Sequence, residues 1–463
     1  MKSNIKNTPR DKEKEPVLRG DKITGDRYYS KEFLKNEFDF VWPKVWQIAG
    51  WAADISNPND FFIYKIGQEE ILVVRQQDLS IKAFYNVCPH RGNLLVQVDE
   101  GSLKKFKCTY HGWEFDAEGV LRYAKDSDDF IGENLCGKIT LQEVSCDEAL
   151  GFVWINYDRK CISLREFIYP ALEHLEPYQT KKFIRVLNLT AEIKCNWKML
   201  HDNFSETYHV DTLHPNLMSQ MDSYYKDSQF DMYESGVNRM LMPGHRPAKG
   251  YKNNDSIEFP LDDVLRLWEL DPNEFIGRTS KARVALQKNK RKLSKDRGYW
   301  HYEYLTDEQL TDYYHYSFFP NFSLTMTPDG FELLRPQPHP TDPNKCFMDH
   351  WYMVPIIDGS LTGSSTFADG NKGVDNKNAL EIEQGHLFTE TPAGRRPLRS
   401  APHEWINYPE ESLGFIIDQD VSIGEAQQKG VKSRGFKHSI LLGQEGRVRR
   451  YHEILNDYIA DKG

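Results

Sequence analysis

Two short strings place a thiolate beside an imidazole. Cys88-Pro-His90 comes first, and Cys108-Thr-Tyr-His111 follows after seventeen intervening residues. Each string reads as a turn after a strand. Two such turns facing one another hold four ligands around metal. Zinc accepts two Cys and two His in a tetrahedron, but three features disfavour it here. One residue separates the first pair, where zinc ligands are spaced by roughly two to four. The order is Cys-His then Cys-His, not Cys-Cys then His-His. The turns also carry Arg91-Gly92 and Gly112-Trp113, which read as loops shaped around a larger object. A [2Fe–2S] centre, with two thiolates on one iron and two imidazoles on the other, uses the same four residues. Neutral imidazoles carry less negative charge than thiolates and so raise the reduction potential.

His209 and His214 form a second candidate pair. On a regular helix this spacing leaves them roughly 140° apart, so they share no face. They converge if the helix ends or distorts between them, and Pro215 favours an ending there. Taken alone, such a pair is read more readily as structural than as metal-binding. Asn203, Glu206 and Tyr208 stand nearby, and Tyr208 reads as a buried core tyrosine.

The elements that must carry these residues fall into two regions. From about Gln47 to Tyr157, runs such as EEILVVRQ, IKAFYNV, KKFKCTY and GFVWINY predict short strands in a compact all-β domain. Ahead of it, the first 25 or so residues read as a loose polar arm. An aromatic segment from Tyr28 to Trp46 predicts a helix ending near Pro43. After Tyr157, LREFIYPALEHL predicts a helix, RVLNLTAEI a strand, and Trp197 to Leu213 a helix. The stretch from Gly244 to Lys295 reads as charged and irregular. FSLTMT, GFELLRP and CFMDHWYMVP predict strands. Ser412 to Lys432 predicts a long helix, and YHEILNDYIA a short terminal one. Strands followed by helices predict an α+β second region.

Composition narrows the function classes. In 463 residues, 59 basic against 69 acidic side chains give a formal charge of −10, so the chain lacks the global field that draws proteins to nucleic acid. Aromatics at 13% oppose disorder. No uncharged apolar run approaches the roughly 20 residues of a membrane helix, and the N-terminus has no secretory apolar core. A cytoplasmic location is expected. Seven cysteines are too sparse for a disulfide scaffold. Cys136, Cys146, Cys161, Cys195 and Cys346 read as small buried hydrophobes.

The string CPHRG…CTYHGW closely resembles the Rieske motif of ring-hydroxylating oxygenases. N-W-K…D-N-x-x-E-x-Y-H-x-x-x-x-H is similar to the mononuclear iron site of the same family. The resemblance covers roughly residues 27 to 455. It implies an N-terminal all-β Rieske domain followed by a catalytic domain of helix-grip, START-like type with an antiparallel sheet. The expected divisions are 1–40 for the arm and a helix packing on the catalytic domain, 41–158 for the Rieske domain, and 159–463 for the catalytic domain. It implies a [2Fe–2S] cluster on Cys88, His90, Cys108 and His111. It implies mononuclear Fe(II) on His209, His214 and a carboxylate from a D-x-x-x-x-E-x-x-Q helix. Asp420 fits that form, with Asp418 as the nearest competitor. Two imidazoles and one carboxylate leave positions open for O₂, substrate or water. Glu206 takes the place of the family carboxylate that bridges the iron's His ligand to a Rieske His of the neighbouring subunit. Asn203 resembles a family residue near the open side of the iron.

The resemblance also implies electrons from NAD(P)H through a separate reductase, sometimes with a ferredoxin. It implies head-to-tail trimers, to which some members add a β subunit. The activity it implies is O₂-dependent hydroxylation or dihydroxylation of an aromatic compound. The alternative is monooxygenation or N- or O-demethylation of a non-aromatic small molecule. Phe204, Leu213, Met218, Met326 and Phe331 are pocket candidates. The run KARVALQKNKRKLSKDR carries eight basic residues and reads first as a solvated helix face, second as a dock for an acidic ferredoxin.

Overall fold

The computed structural model describes residues 16–251, 255–356 and 400–460. The start of the expected arm, residues 1–15, lies outside the described residues. The chain divides into two compact units. Glu37–Phe167 forms one, and the described residues before Glu37 join those from Ile168 onward in the other. Among the described residues no helix is long and apolar enough to cross a membrane.

The unit Glu37–Phe167 is built on β-branched and aromatic strands. Its larger sheet runs Gln47–Trp51, Phe152–Asn156, Glu143–Ala149, Ile81–Tyr85, Glu69–Arg75, Asp60–Ile66, Glu100–Ser102 in spatial order. A smaller antiparallel sheet holds Lys105–Lys107, Glu114–Asp116 and Leu121–Tyr123. Phe61, Leu72, Phe84, Phe106, Phe115 and Leu121 make its core, and both Cys88 and Cys108 are buried in it.

Among the described residues, the second unit holds a single eight-stranded sheet with helices on it. Its strands are β1 (Phe183–Ile193), β2 (Gln229–Met232), β3 (Asn238–Met242), β4 (Tyr313–Phe318), β5 (Phe322–Thr327), β6 (Gly330–Pro338), β7 (Cys346–Pro355) and β8 (Glu404–Ile406). Strands β2 to β7 form a continuous antiparallel meander. β1 then pairs antiparallel with β7 and parallel with the edge strand β8. β4 and β5 are buried along their whole length, the polar His315, Ser317, Ser323, Thr325 and Thr327 included.

Four helices carry the chemistry or brace it: α1 (Trp197–Phe204), α2 (Val210–Leu213), α3 (Phe415–Gly430) and α4 (Gly446–Ala460). Asn196 caps α1, its side chain accepting from Lys198 N. α3 lies close over the end of β1. A Cβ on Gly424 would sit 2.7 Å from Cys195 Sγ, so only glycine permits that approach. Gln428 of α3 accepts from Asn196 N at 2.8 Å and donates to Tyr28 O at 3.0 Å.

Several elements differ from expectation. The helix read through Trp197–Leu213 is two helices, because the chain leaves helical geometry between Phe204 and Val210. LREFIYPALEHL likewise splits into Leu164–Phe167 and Ala171–Leu175 around Pro170, which cannot continue a helix. The charged stretch is not irregular: it contains helices Leu261–Leu267 and Ser280–Leu293. Its basic face is not simply solvated. Lys290 is fully buried, 3.1 Å from Asp329, and Arg283 makes a two-pronged pair with Asp312 at 2.8 and 2.9 Å. Arg291 and Arg297 pair with Asp307 and Glu269. The described part of the arm is pinned, not loose. Gly20 N donates to Glu453 Oε1, Arg27 bonds His452, and the Tyr28 hydroxyl donates to Asp202. Among the five lone cysteines, Cys195 and Cys346 are buried, while Cys136, Cys146 and Cys161 are half-buried.

Candidate metal centres

The first constellation sits on two turns with the same internal geometry. Cys88 N donates to Asn93 O, and Cys108 N donates to Trp113 O, each at 2.8 Å and each five residues on. Gly92 N donates to Cys88 O, and Gly112 N to Cys108 O, each at 3.0 Å. Both glycines close their turns at positive φ, +74° and +70°, which a side chain resists. Gly112 therefore serves the turn itself. The two thiols are buried and hydrogen-bond each other. Burial raises Cys88 to about 11, whereas the Tyr110 and His111 amides and the Cys88 thiol outweigh burial and hold Cys108 lower. Asn93 Nδ2 points at Cys108 Sγ from 3.7 Å. His90 is exposed and His111 half-buried, their rings 4.5 Å apart. Trp113 packs flat on His90, with centroids 4.7 Å apart and planes 6° from parallel. Buried sulfurs with the more exposed imidazoles on the other side fit a group that spans the two turns.

The second constellation depends on the break after α1. Ser205 caps the helix, its hydroxyl donating to His201 O at 2.8 Å, and the buried Arg447 donates to Ser205 O at 3.1 Å. A guanidinium at a helix C-terminus opposes the negative end of the helix dipole. Glu206 begins the next turn. One of its oxygens accepts from the amides of Tyr208 and His209, and the other lies 2.7 Å from His209 Nδ1. Tyr208 is turned outward by this geometry and is 58% exposed, not buried as expected. α2 has four residues, and His214 leaves it at φ −122°, ψ +56°, a conformation compatible with Pro215. The helix thus ends where convergence of His209 and His214 requires it. Their rings stand 5.2 Å apart at 78°.

α3 supplies the third member. Asp420 Oδ1 is 2.9 Å from His214 Nε2 and 3.5 Å from His209 Nε2. One ligand atom from each of His209, His214 and Asp420 falls within 4.8 Å of the others. Asp418 is used elsewhere. Its carboxylate accepts from Ser412 Oγ at 2.5 Å and from Leu413 N at 2.9 Å, fastening the start of α3.

Each member of the group has its own polar partner. Glu206 holds His209 Nδ1. Gln419 Oε1 is 2.8 Å from His214 Nδ1. Asn203 Nδ2 donates to Asp420 Oδ1 at 2.6 Å. A carboxylate oxygen or an amide oxygen only accepts, so Nδ1 of each neutral imidazole carries the proton. Each Nε2 then presents a lone pair toward a carboxylate oxygen. Three lone-pair donors facing one another are the donor set of a divalent metal, and two imidazoles with one carboxylate suit non-haem Fe(II). Glu206 and Asp420 also raise the His209 pKa, overcoming the opposing effect of burial.

Gln419 is missing from the sequence-based candidates. Neighbouring residues on a helix point about 100° apart, so spacing gives no reason to link it to the same centre as Asp420. Its one visible signal is adjacency. A cavity of about 330 Å³ opens beside Asn203 and Glu206, with Asp202 and Glu445 on its wall. Burial raises the Glu445 pKa, and the charges of Glu206 and Asp202 raise it further. Val210 and Ile416 belong to a buried apolar cluster with Leu217, Met221, Met240, Met242 and Tyr313. The expected pocket residues Phe204, Met218, Met326 and Phe331 are buried, Phe331 stacking on Phe183, and Leu213 is half-buried.

Comparison with known proteins finds a match in each of the two regions that carry these constellations. The family model for the Rieske [2Fe-2S] domain matches residues 45–131, and that for the ring hydroxylating alpha subunit (catalytic domain) matches residues 181–461. The carnitine monooxygenase oxygenase subunit of Acinetobacter pittii (strain PHEA-2) is 31% identical over 207 residues, 43% of this chain and 54% of that protein. The large oxygenase component of the naphthalene 1,2-dioxygenase system of Pseudomonas putida is 33% identical over 201 residues, 42% of this chain and 45% of that protein. The chain thus spans about half the length of the curated relatives it matches. Two solved structures share the fold. A quaternary ammonium Rieske monooxygenase superposes with a TM-score of 0.64 at 17% identity, covering 94% of this chain and 95% of the other. Naphthalene 1,2-dioxygenase from Rhodococcus sp. does so with a TM-score of 0.65 at 15% identity, covering 96% and 95%. The chain belongs to the ring-hydroxylating α-subunit family, with a Rieske [2Fe–2S] domain ahead of the catalytic domain.

Proposed function

We propose that this protein is the oxygenase component of a Rieske non-haem iron oxygenase. The observation that carries the proposal is the convergence of His209 Nε2 and His214 Nε2 on Asp420, with each Nδ1 occupied by an acceptor. Cys88, Cys108, His90 and His111 hold the [2Fe–2S] cluster, and His209, His214 and Asp420 hold one Fe(II). When bound, these centres supply the electrons and the activation of O₂.

The chain's own residues do the positioning. Glu206 and Gln419 fix the tautomers of the two imidazoles, and Asn203 fixes the Asp420 carboxylate. Glu206 is also the hydrogen-bonded link toward the cluster of a neighbouring subunit in a head-to-tail trimer. A separate reductase or ferredoxin delivers electrons on the side of the exposed His90 and half-buried His111. The naphthalene 1,2-dioxygenase relatives favour an aromatic substrate, hydroxylated or dihydroxylated. The carnitine monooxygenase relatives and the quaternary ammonium monooxygenase structure favour a second reading, monooxygenation of a non-aromatic small molecule such as a quaternary ammonium compound.

Iron and acid-labile sulfide per chain, with an EPR spectrum of the dithionite-reduced protein, test the assignment. Three irons, two sulfides and a Rieske-type signal are expected. Zinc without sulfide overturns it. Coupled product formation from an aromatic panel and a quaternary ammonium panel then separates the two substrate readings.

A further inference from the structure

His209 and His214 are held by chemically different acceptors. Glu206 offers His209 Nδ1 a carboxylate oxygen at 2.7 Å. Gln419 offers His214 Nδ1 an amide oxygen at 2.8 Å. Both acceptors force the proton onto Nδ1 and free Nε2. Only the carboxylate adds negative charge, which makes its imidazole the more basic ligand.

His214 has stronger need of such a partner. It is 2% exposed, and its Nε2 sits 2.9 Å from Asp420 Oδ1. In a chain without metal, an unfixed imidazole would turn its proton to Nε2 and donate it to Asp420. That tautomer closes the site to a cation. An acceptor at Nδ1 removes this competitor. Gln419 is suited to the task because it precedes Asp420 on α3, so one helix delivers both the carboxylate and the acceptor that keeps His214 facing it with a lone pair.

We infer that Gln419 is the positioning residue of His214, and that its amide makes the two imidazoles of the metal site unequal. Gln419 presets the metal-binding tautomer without adding a second buried charge beside Glu206. The inference rests on the reading of His209, His214 and Asp420 as a metal site.

The test uses the full chain with its cluster, after mild chelation of the mononuclear site, dialysed against Co(II) at neutral pH. Wild type, Gln419→Leu, Gln419→Glu and Asp420→Ala are compared, with the Tm of each metal-free protein. Gln419→Leu is expected to bind Co(II) about 10-fold or more weakly. Gln419→Glu is expected to bind at least as tightly as wild type, because it restores the acceptor and adds charge. The metal-free Tm of the two Gln419 variants is expected to stay close to wild type. Gln419→Leu with wild-type affinity overturns the inference, as does Gln419→Glu as weak as Gln419→Leu. A loss in Gln419→Leu that only follows a lowered metal-free Tm also overturns it. Wild type whose Co(II) binding equals that of Asp420→Ala overturns the site reading, and the inference with it.

Discussion

The Asn203 amide donates to Asp420 Oδ1 at 2.6 Å and joins α1 to α3 across 217 positions of sequence. A second bond joins the same helices at their other ends, from Asn196 N to Gln428 Oε1 at 2.8 Å. Asn196 and Asn203 are seven residues apart, and Asp420 and Gln428 are eight apart. Seven residues are close to two helical turns and eight pass them by about 80°, so the tethers lie on one side of each helix, about 11–12 Å apart. Two tethers fix both the distance and the slide of α3 along α1. The carboxylate is therefore held by a pair of helices and not by a loop. Precision of that kind suits a site whose ligand atoms must meet within a fraction of an ångström.

Asp420→Ala should release the mononuclear iron and leave the cluster intact. The substitution removes the only carboxylate in the converging group of described residues, leaving two neutral imidazoles. Iron should fall from three to two per chain with sulfide unchanged at two. The reduced EPR signal should persist and turnover should vanish. Retention of the third iron would move the ligand role elsewhere.

Acid should weaken the catalytic unit well before its carboxylates titrate. Burial pushes His174, His201 and His245 down to about 3 from an ordinary 6.5. Each is neutral when folded and takes up a proton on unfolding below its unfolded value. A depressed folded pKa gives stability that is complete above pH 6.5 and is lost as pH falls toward the folded value. Each group then costs up to ~1.4 kcal/mol per pH unit. Between pH 7.5 and 5.5 the three together should remove about 4 kcal/mol. That figure requires only that the folded values lie well below 5.5. Urea unfolding at the two pH values measures it, and an unchanged midpoint would mean that these rings are not buried neutral.

How much of this was legible in the sequence depended on where the partners sit along the chain. Cys88, His90, Cys108 and His111 lie within 24 residues, so their spacing carried the chemistry directly. His209 and His214 were visible as a pair, but their convergence needed a helix end that only Pro215 hinted at. Asp420 lies 206 residues beyond His214, and family resemblance, not periodicity, brought it forward. Lys290 looked solvated because its partner Asp329 is 39 residues away, and a charge run does not reveal which member turns inward. Tyr208 was misplaced for the same reason as the long helix: a break at Ser205 rotates everything after it. Strands were easier where apolar and polar residues alternate, as in the Phe-Ser-Leu-Thr-Met-Thr run of β5, because that period survives without tertiary information, whereas β4, with His315 and Ser317 inside it, was not picked out.

Gly424→Ala should be destabilising, although Ala is the better helix former by up to ~1 kcal/mol. The new Cβ would fall 2.7 Å from Cys195 Sγ and 3.3 Å from Cys195 Cβ. Overpacking of this kind costs about 1–3 kcal/mol. Removing the sulfur with Cys195→Ala should recover part of the loss in the double variant, giving a coupling between the two sites. Strict additivity of the two single changes would place the strain elsewhere. Because Gly424 is one turn beyond Asp420, iron content should fall along with Tm in the single variant and return with it in the double.

Glu206→Gln separates the two jobs that the Glu206 carboxylate performs. The amide oxygen of glutamine can still accept from His209 Nδ1, so the tautomer survives and both metals should remain. Its NH₂ group cannot accept from the Tyr208 and His209 amides, as the second carboxylate oxygen does. Losing that cap should cost about 1 kcal/mol and lower Tm modestly. The larger effect should be on electron transfer, because an uncharged link binds His209 and the neighbouring cluster less strongly than a carboxylate does. Pre-reduced protein mixed with substrate and O₂ reports this directly through reoxidation of the cluster absorbance. A slower single turnover at full metal occupancy is expected. A rate equal to wild type would leave Glu206 as a cap and an orienting group for His209, with the electrons taking another route.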